Sequence, residues 1–249
     1  MVREIRTELP MLGALKLHYM IKPGLKAHQL SIGRDTLFSL LRANNLLIKR
    51  KRRYARTTNS NHHFKKWPDL VQRRPAIMPE EIWVSDITYL HGKNNFYYLD
   101  LVTDLYSRKI IGYNLSRNLK AVGCLNALQM ALNSRLYPFR SLIHHSDRGI
   151  QYCCDAYVKV LEDHKIAISM TQDGCPYDNA VAERLNGILK GELGLYDTFE
   201  SFKSASEKVD QAVRKYNEIR PHSSIDMETP RHRHAAVNYN QKKFFNNSV

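Results

Sequence analysis

The sequence predicts an α/β fold built on one mixed sheet of about five strands. Residues 82–90 alternate between apolar and polar side chains, which is typical of a strand with one covered face. Residues 96–102 form an almost unbroken apolar run, which is typical of a strand covered on both faces. Beyond them, helical and strand-like patterns alternate along the chain, as they do where helices flank a sheet.

The remaining elements follow in order. Residues 108–115 come after a short turn and predict the hairpin partner of the second strand. Residues 120–135 have helical spacing, with Val122, Leu125, Leu128 and Leu132 expected to face inward. Further elements are predicted as a strand at 141–144, a helix at 155–164, a strand at 166–170, a helix capped by Asn179, and a long helix marked by Phe202, Ala205, Val209, Val213 and Tyr216.

The N-terminal region predicts a small, basic helical module. Residues 11–21 have loose helical spacing, Pro23-Gly24 is expected to end that helix, and a second helix is expected from about Arg34. Two short helices with a glycine-containing break resemble part of a helix-turn-helix, and a generic helical hairpin fits equally well.

The positive charge is concentrated in the first third of the chain. Residues 1–75 hold 17 lysines and arginines against 4 acids, whereas residues 76–249 hold 21 against 20, in a chain of net charge +14. The densest run is Lys49, Arg50, Lys51, Arg52 and Arg53. Such a run predicts a phosphate-binding arm and a polyanionic partner, and a nuclear-localisation signal is the competing interpretation. Membrane binding is disfavoured because no large apolar helix face accompanies the cluster.

These patterns divide the chain into four parts. We predict a basic DNA-binding region at 1–56, a linker or extended strap at 57–79, a core at 80–236 and a polar tail at 237–249. No apolar run approaches the roughly 18 residues of a membrane span. The four cysteines have no paired metal spacing, so free thiols in a reducing cytosol are expected.

Three acids stand out by their positions. Asp86 lies in the middle of the first strand, Asp147 follows a strand, and Glu183 lies on a helix face that also carries Asn186 and Lys190. Each has an ordinary explanation: Asp86 could pair with an arginine, Asp147 could cap a helix, and Glu183 could be solvated. A strand, a strand end and a following helix can nevertheless converge on one point, where clustered carboxylates need cations. Hard divalent ions such as Mg²⁺ are the expected solution.

Other acids are weaker candidates. Asp104 and Asp178 are the better candidates for supporting the site from outside the ligand shell. Glu192 falls on the apolar side of the helix and is not expected to be the third ligand.

The order Asp86, Asp147, Glu183, with 35 residues between the last two, resembles the DDE signature of transposases and retroviral integrases. The surrounding strings agree: WVSDITY (83–89), HSDRGIQY (145–152), DNAVAERLNGILKGEL (178–193) and YNEIRPHSSI (216–225), the last followed by Thr229-Pro230. Lys190, seven residues after the glutamate, belongs to the same pattern. The match is closest to the second-reading-frame product of bacterial insertion sequences of the insertion-sequence-three family and covers about residues 25–235.

The resemblance implies a ribonuclease-H-like core that cleaves and joins DNA by direct in-line phosphoryl transfer. It implies that Asp86, Asp147 and Glu183 hold two Mg²⁺ or Mn²⁺ ions, and that Lys190, Arg184 and Asn186 position transposon-end DNA. The implied partners are double-stranded element ends and target DNA, further copies of the chain on DNA, and an upstream-frame helix-turn-helix protein. The implied location is the bacterial cytoplasm, in association with the nucleoid.

Two alternatives remain open from the sequence. One is a metal-dependent nuclease or resolvase on the same fold, which would cut DNA without joining strands. The other is a truncated, non-catalytic DNA-binding product of the element, against which the intact set of three acids argues.

Overall fold

The structure is a computed structural model that describes residues 1–48, 63–72, 74–172 and 180–236. The basic run Lys49–Arg53, the proposed cap Asn179, Asp178 and the polar tail lie outside these residues. Among the described residues no helix is long and apolar enough to cross a membrane. In chain order the elements are α1 (Val2–Glu8), α2 (Ala14–Ala27), α3 (Arg34–Ala43), β1 (Ile82–Gly92), β2 (Phe96–Asp104), β3 (Ile110–Ser116), α4 (Ala121–Asn133), β4 (Ile143–Ser146), α5 (Ile150–Cys153), α6 (Asp155–Asp163), β5 (Ala167–Met170), α7 (Ala180–Gly191), β6 (Thr198–Phe199) and α8 (Phe202–Glu218).

The described strands form one mixed sheet in the order β3-β2-β1-β4-β5. The pairs β3–β2 and β2–β1 are antiparallel, whereas β1–β4 and β4–β5 are parallel. The predicted mixed sheet of five main strands is therefore confirmed. The two-residue strand β6, which pairs with the end of β1, was not predicted because so short a segment carries no periodic pattern.

Helices cover both faces of the sheet. On one face, α1 to α3, α7 and α8 share an apolar cluster with β1, β2 and β3. On the other face, α4, α5 and α6 pack with residues such as Trp83, Val102 and Ile168. Burial on both sides explains why β2 is a nearly continuous apolar run.

The prediction that Pro23-Gly24 ends a helix is wrong, because α2 runs through both residues. Leu17, Ile21 and Leu25 repeat at intervals of four and are all buried, so the apolar stripe continues past the proline. Burying one leucine side chain contributes about 1.5–3 kcal/mol, which is comparable to the cost of about 3 kcal/mol for an interior proline. The chain turns instead between His28 and Gly33, before α3.

The predicted inward face of α4 is partly wrong. Val122 is 55% exposed, and the buried positions include Cys124, Ala127 and Ala131 together with Leu128. A side chain on Gly112 of β3 would meet the backbone of α4 at Ala127 and Ala131. Small residues on both elements therefore let the helix pack backbone to backbone on the sheet, which rotates its face relative to the leucine spacing.

The described part of residues 57–79 follows the edge of the sheet as a strap. Phe64 and Trp67 pack against the α4–α6 side of the core. The Met170 N–H donates to the Pro68 carbonyl over 3.2 Å, and the Leu70 N–H donates to Ser169 Oγ over 2.8 Å. These bonds tie the strap to β5.

Candidate active site

Asp86 lies on β1, and Asp147 lies at the equivalent position directly after the neighbouring parallel strand β4. The register of β1 and β4 pairs Val84 with His145, and each aspartate lies two residues further along its chain. Val84 and His145 line the same cavity, so the side chains two positions on share that face of the sheet. Because adjacent strands lie about 4.8 Å apart, both carboxylates can act on one ligand.

Helix α7 places a second set of polar side chains against Asp86. Asn186 Nδ2 donates to Asp86 Oδ2 over 2.6 Å. Glu183 is three residues before Asn186 and Lys190 is four after it, so the three share one helix face. Gly187 lies on the exposed surface of the helix, and a Cβ there would meet nothing within 4 Å, which leaves room for a ligand.

Asp147 also shapes the loop that follows β4. Its Oδ1 accepts a hydrogen bond of 2.9 Å from the Gly149 N–H, and Gly149 is the N-cap of α5. At the start of α5 the described part of the chain makes no side-chain cap hydrogen bond, so this contact does not support the ordinary explanation that Asp147 caps a helix. The contact fixes the carboxylate at the end of β4.

Lys190 lies in a half-buried position beside Asp86 and Tyr89. Its Nζ is 4.6 Å from the centroid of the Tyr89 ring. Burial lowers the pKa of Lys190 to about 8, although the charge of Asp86 opposes the shift. The ammonium group is thus held by an aromatic face and an acid of β1.

A buried layer of aromatic and polar side chains lies on the opposite face of the sheet. His144 Nε2 is 2.7 Å from Ser85 Oγ and 2.9 Å from Tyr157 Oη, and burial and the neighbouring His145 lower its pKa to about 3. Burial raises the pKa of Tyr152 well above its usual value, and the carboxylates of Asp147 and Asp86 add to the effect. Tyr152 therefore lies within the electrostatic reach of both aspartates.

The other predicted residues make contacts of a different kind. Arg184 lines a groove of about 940 Å³ with Thr7 and Glu8 of α1 and with residues of α8, and Gly187 and Lys190 of α7 line the same groove. Asp104 is buried and accepts from the backbone and the hydroxyl of Ser107. Glu192 is buried and paired with Arg220, as its apolar position on the helix suggested.

Three residues of this region were not predicted from the sequence. Tyr152 and Tyr89 stand inside the strings HSDRGIQY and WVSDITY, five and three residues after the aspartates. Their short distance in sequence from the two aspartates could have identified these tyrosines as part of the site. His145, two residues before Asp147, faces the cavity beside Val84, which strand alternation could have indicated.

Asp86, Asp147 and Glu183 carry the kind of oxygen ligand that a divalent cation prefers. The structure places the first two of these acids close together. Carboxylate oxygens are the ligands that Mg²⁺ prefers, and Asp86 and Asp147 present them side by side. Across the described ranges, however, no group of three or more His, Cys, Asp or Glu side chains is close enough to hold a metal ion. Glu183 is exposed in the first turn of α7, directly after residues that the structure does not describe.

Comparison with solved structures supports the fold. The HTLV-2 integrase catalytic core domain in complex with magnesium (trimeric form) superposes with a TM-score of 0.51 at 18% identity, covering 64% of this chain and 99% of that one. The simian T-cell lymphotropic virus intasome in complex with PP2A regulatory subunit B56 gamma gives a TM-score of 0.55 at 19% identity, covering 89% of this chain and 74% of that one. The fold is that of integrase catalytic cores, which confirms the predicted ribonuclease-H-like architecture.

Comparison by sequence identifies the family. Two models described as the Integrase core domain match residues 77–176 and 164–230. The Insertion element IS600 uncharacterized 31 kDa protein of Shigella sonnei is 35% identical over 201 residues, covering 80% of this chain and 74% of that protein. Transposase InsF for insertion sequence IS3A of Escherichia coli (strain K12) is 34% identical over 201 residues, covering 80% and 69%. The chain therefore belongs to the IS3-type insertion-sequence transposases with an integrase core domain, and it is a DDE polynucleotidyl transferase.

Proposed function

We propose that this protein cleaves the DNA strands of an insertion sequence and transfers them to a target, by direct in-line phosphoryl transfer that depends on divalent metal ions. The observation that carries the proposal is the register of β1 and β4. It sets Asp86 and Asp147 at equivalent positions on one face of the sheet, beneath the helix that carries Glu183. Paired carboxylates on neighbouring strands suit metal-assisted chemistry on a phosphodiester.

Asp86, Asp147 and Glu183 would hold two Mg²⁺ or Mn²⁺ ions. When bound, such ions activate an attacking oxygen and stabilise a leaving oxygen at the phosphorus. The HTLV-2 integrase core that shares the fold is described as a magnesium complex. Glu183 would complete the set from the first turn of α7, a helix that Asn186 ties to Asp86 by a hydrogen bond.

The protein's own groups orient the reaction. Asn186 holds one oxygen of Asp86 and so fixes the direction in which the carboxylate points. Lys190, beside Asp86, is placed to contact a phosphate oxygen of the strand being cut. The buried Tyr152 is a poor nucleophile because its pKa is raised well above the usual value. This favours direct attack by water or a DNA hydroxyl over attack by this tyrosine.

The substrates that we propose are double-stranded element ends and target DNA. The Escherichia coli relative is named a transposase for an insertion sequence, and the simian virus neighbour is described as an intasome. We infer that copies of this chain assemble on DNA in the same manner. The arm Lys49–Arg53 would add phosphate contacts that do not read sequence. Pairing with an upstream-frame helix-turn-helix protein stays a prediction.

The test uses a duplex that carries the element's own terminal sequence, incubated with the full chain and Mg²⁺ or Mn²⁺. We expect a nick that leaves a 3′ hydroxyl, followed by joining of that end to a second duplex. Asp86→Asn and Asp147→Asn should each lower cleavage by about 100-fold or more, since each removes a charge that stabilises the transition state. Asp155→Asn is the matched control, because Asp155 is an exposed acid at the start of α6.

The outcomes separate the proposal from its competitors. Metal-dependent nicking without any joined product would favour a nuclease, and binding without cleavage would favour a non-catalytic DNA-binding protein. Wild-type cleavage by Asp86→Asn would show that this pair of acids is not the metal site.

A further inference from the structure

Three aromatic side chains form a patch at the far end of the β1–β2 hairpin. We define the aromatic patch as Tyr89, His91 and Phe96. The ring centroids are 5.7 Å apart for Tyr89–His91, 5.3 Å for Tyr89–Phe96 and 5.2 Å for His91–Phe96, and all three pairs meet edge to face. The register pairs His91 directly with Phe96, so the rings project from one face of the hairpin.

The aromatic patch is more exposed than its role in the hairpin requires. Cross-strand aromatic pairs contribute roughly 0.2–1 kcal/mol to a sheet, which accounts for contact between the rings. It does not account for Phe96, which keeps 47% of its surface exposed. The neighbouring Tyr97, on the other face, is buried against Phe202 at 5.4 Å, which shows how the same hairpin treats a ring that serves the core.

The aromatic patch adjoins the candidate active site through Lys190. The Nζ of Lys190 lies 4.6 Å from the Tyr89 ring centroid, and the same ammonium interacts with Asp86. Tyr89 is three residues after Asp86 on β1. Sites that bind single-stranded nucleic acids combine a cation, which contacts phosphates, with accessible rings, on which bases stack. Here Lys190 lies beside the partly buried Tyr89, and Phe96 is the exposed ring next to it.

We propose that the aromatic patch binds an unpaired nucleobase of the DNA strand, next to the phosphodiester held at Asp86 and Lys190. This inference rests on the proposed function, because it names how the DNA end is seated at that site. A base frayed from the duplex end would place its flat face on Phe96 while its phosphate meets Lys190. Because every base offers a flat face, the aromatic patch would hold the end without reading its sequence.

A second protein chain fits this surface less well. A stable protein interface buries about 800 Å² on each partner, and a fully buried aromatic side chain contributes about 150–250 Å². Three rings that are already partly covered by one another fall short of that area. A single planar base, with its phosphate on a neighbouring cation, matches both the size and the charge.

The experiment measures binding of the full chain to two duplexes, one blunt and one with an unpaired terminal 2-aminopurine. Wild type should quench the fluorescence of the unpaired base, as stacking on a ring does. Phe96→Leu keeps an apolar side chain but removes the ring, so it should lose the quenching and at least about fivefold in affinity for the frayed duplex. Phe96→Trp should retain both, affinity for the blunt duplex should change less than affinity for the frayed duplex, and the salt dependence should stay unchanged in each variant.

The matched control is Phe139→Leu, since Phe139 is a fully exposed ring in the loop before β4. Equal quenching by wild type and Phe96→Leu, with normal cleavage of the element end, would overturn the aromatic patch and leave the transposase proposal standing. Quenching that depends on Phe96 in a protein that never cleaves would support the aromatic patch and overturn the transposase proposal. A change of oligomeric state on Phe96→Leu without loss of quenching would instead identify a protein interface and overturn the inference.

Discussion

Asn186 Nδ2 lies 2.6 Å from Asp86 Oδ2, and this one hydrogen bond joins helix α7 to the central strand of the sheet at the candidate active site. The two residues are 100 positions apart in the chain. The hydrogen bond holds α7 close to the sheet at the position of Asp86. It also gives Asn186 a role different from the DNA contact predicted for it from the sequence, which remains a prediction.

We expect Asn186→Ala to lower single-turnover cleavage of the element end by roughly 10- to 100-fold, the range that a hydrogen bond to a charged group of about 1.5–3 kcal/mol supports. Asn186→Asp should cost more, because a second carboxylate would repel Asp86. Raising Mg²⁺ should partly restore both variants, because a bound cation helps to orient Asp86 and offsets repulsion between carboxylates. Gln129→Ala, an exposed amide on α4, is the control, and a wild-type rate in Asn186→Ala would refute the positioning role.

Lys190 should make DNA binding depend on pH. Its pKa is lowered to about 8, so the ammonium is charged at pH 7 and largely neutral at pH 9 in the free protein. Affinity for the element end should therefore fall as pH rises through about 8. Lys190→Arg should keep its affinity over this range, because a guanidinium remains charged.

Fluorescence anisotropy at pH 7 and pH 9 provides the measurement. At pH 7, Lys190→Ala should flatten the dependence of log K on log salt by about 0.9, the value for one phosphate contact. Lys159→Ala is the control, since Lys159 is exposed and pairs with Asp163 on the surface of α6. A wild-type pH profile in Lys190→Arg would show that another group carries the effect.

The strands and the acids were predictable because burial and strand ends leave local patterns. The run at 96–102 is apolar because β2 is covered on both faces, and Asp147 is recognisable because a polar cluster follows β4 directly. The register that sets Asp86 beside Asp147 is a long-range pairing of β1 and β4. The spacing of residues along the chain does not encode that pairing.

Packing geometry explains where the predictions from the sequence were wrong. Leucine spacing predicted the inward face of α4, but the close approach permitted by Gly112 selects the small residues instead. Pro23 predicted a helix end, but buried Leu25 holds the last turn of α2 in place. In both cases a neighbouring element outweighs the local preference, and that neighbour cannot be known before the fold.

Removing one partner of the buried pair Glu192–Arg220 should destabilise the fold strongly. Both Nε and Nη2 of Arg220 lie 2.9 Å from Glu192 Oε2, and the arginine side chain is only 1% exposed. Glu192→Gln should lower the free energy of unfolding by about 3–5 kcal/mol, because it leaves a buried charge without its partner. Replacing both residues, as in Glu192→Leu with Arg220→Met, should recover much of the loss.

Urea unfolding monitored by circular dichroism measures these changes. The control is Lys159→Met, which removes a surface ion pair and should cost less than about 1 kcal/mol. If Glu192→Gln unfolds at the same urea concentration as Lys159→Met, the pair is not the buried tie between the end of α7 and the segment after α8.

His234 attaches the helical segment formed by residues 230–236 to the sheet. Its Nε2 is 3.6 Å from Glu80 Oε1 and its Nδ1 is 3.6 Å from Asp104 Oδ1, all within the buried interior. Burial alone would lower the pKa of His234, but the nearby carboxylates of Asp104 and Glu80 outweigh that effect and raise it, while Nδ1 lies 2.9 Å from Ser107 Oγ. The imidazolium form therefore bridges two buried acids.

Stability should consequently fall as the pH rises above neutrality. A histidine whose pKa is raised in the folded state stabilises it fully below the unfolded value of about 6.5, and that contribution is lost as the pH rises through the folded pKa. We expect the melting temperature of wild type to exceed that of His234→Gln most at pH 6, with a difference that shrinks towards pH 9. His232→Gln is the matched control, because His232 is an exposed histidine of the same segment that pairs with Glu228. A difference that stays constant from pH 6 to pH 9 would mean that His234 acts through packing and carries no charge in the folded protein.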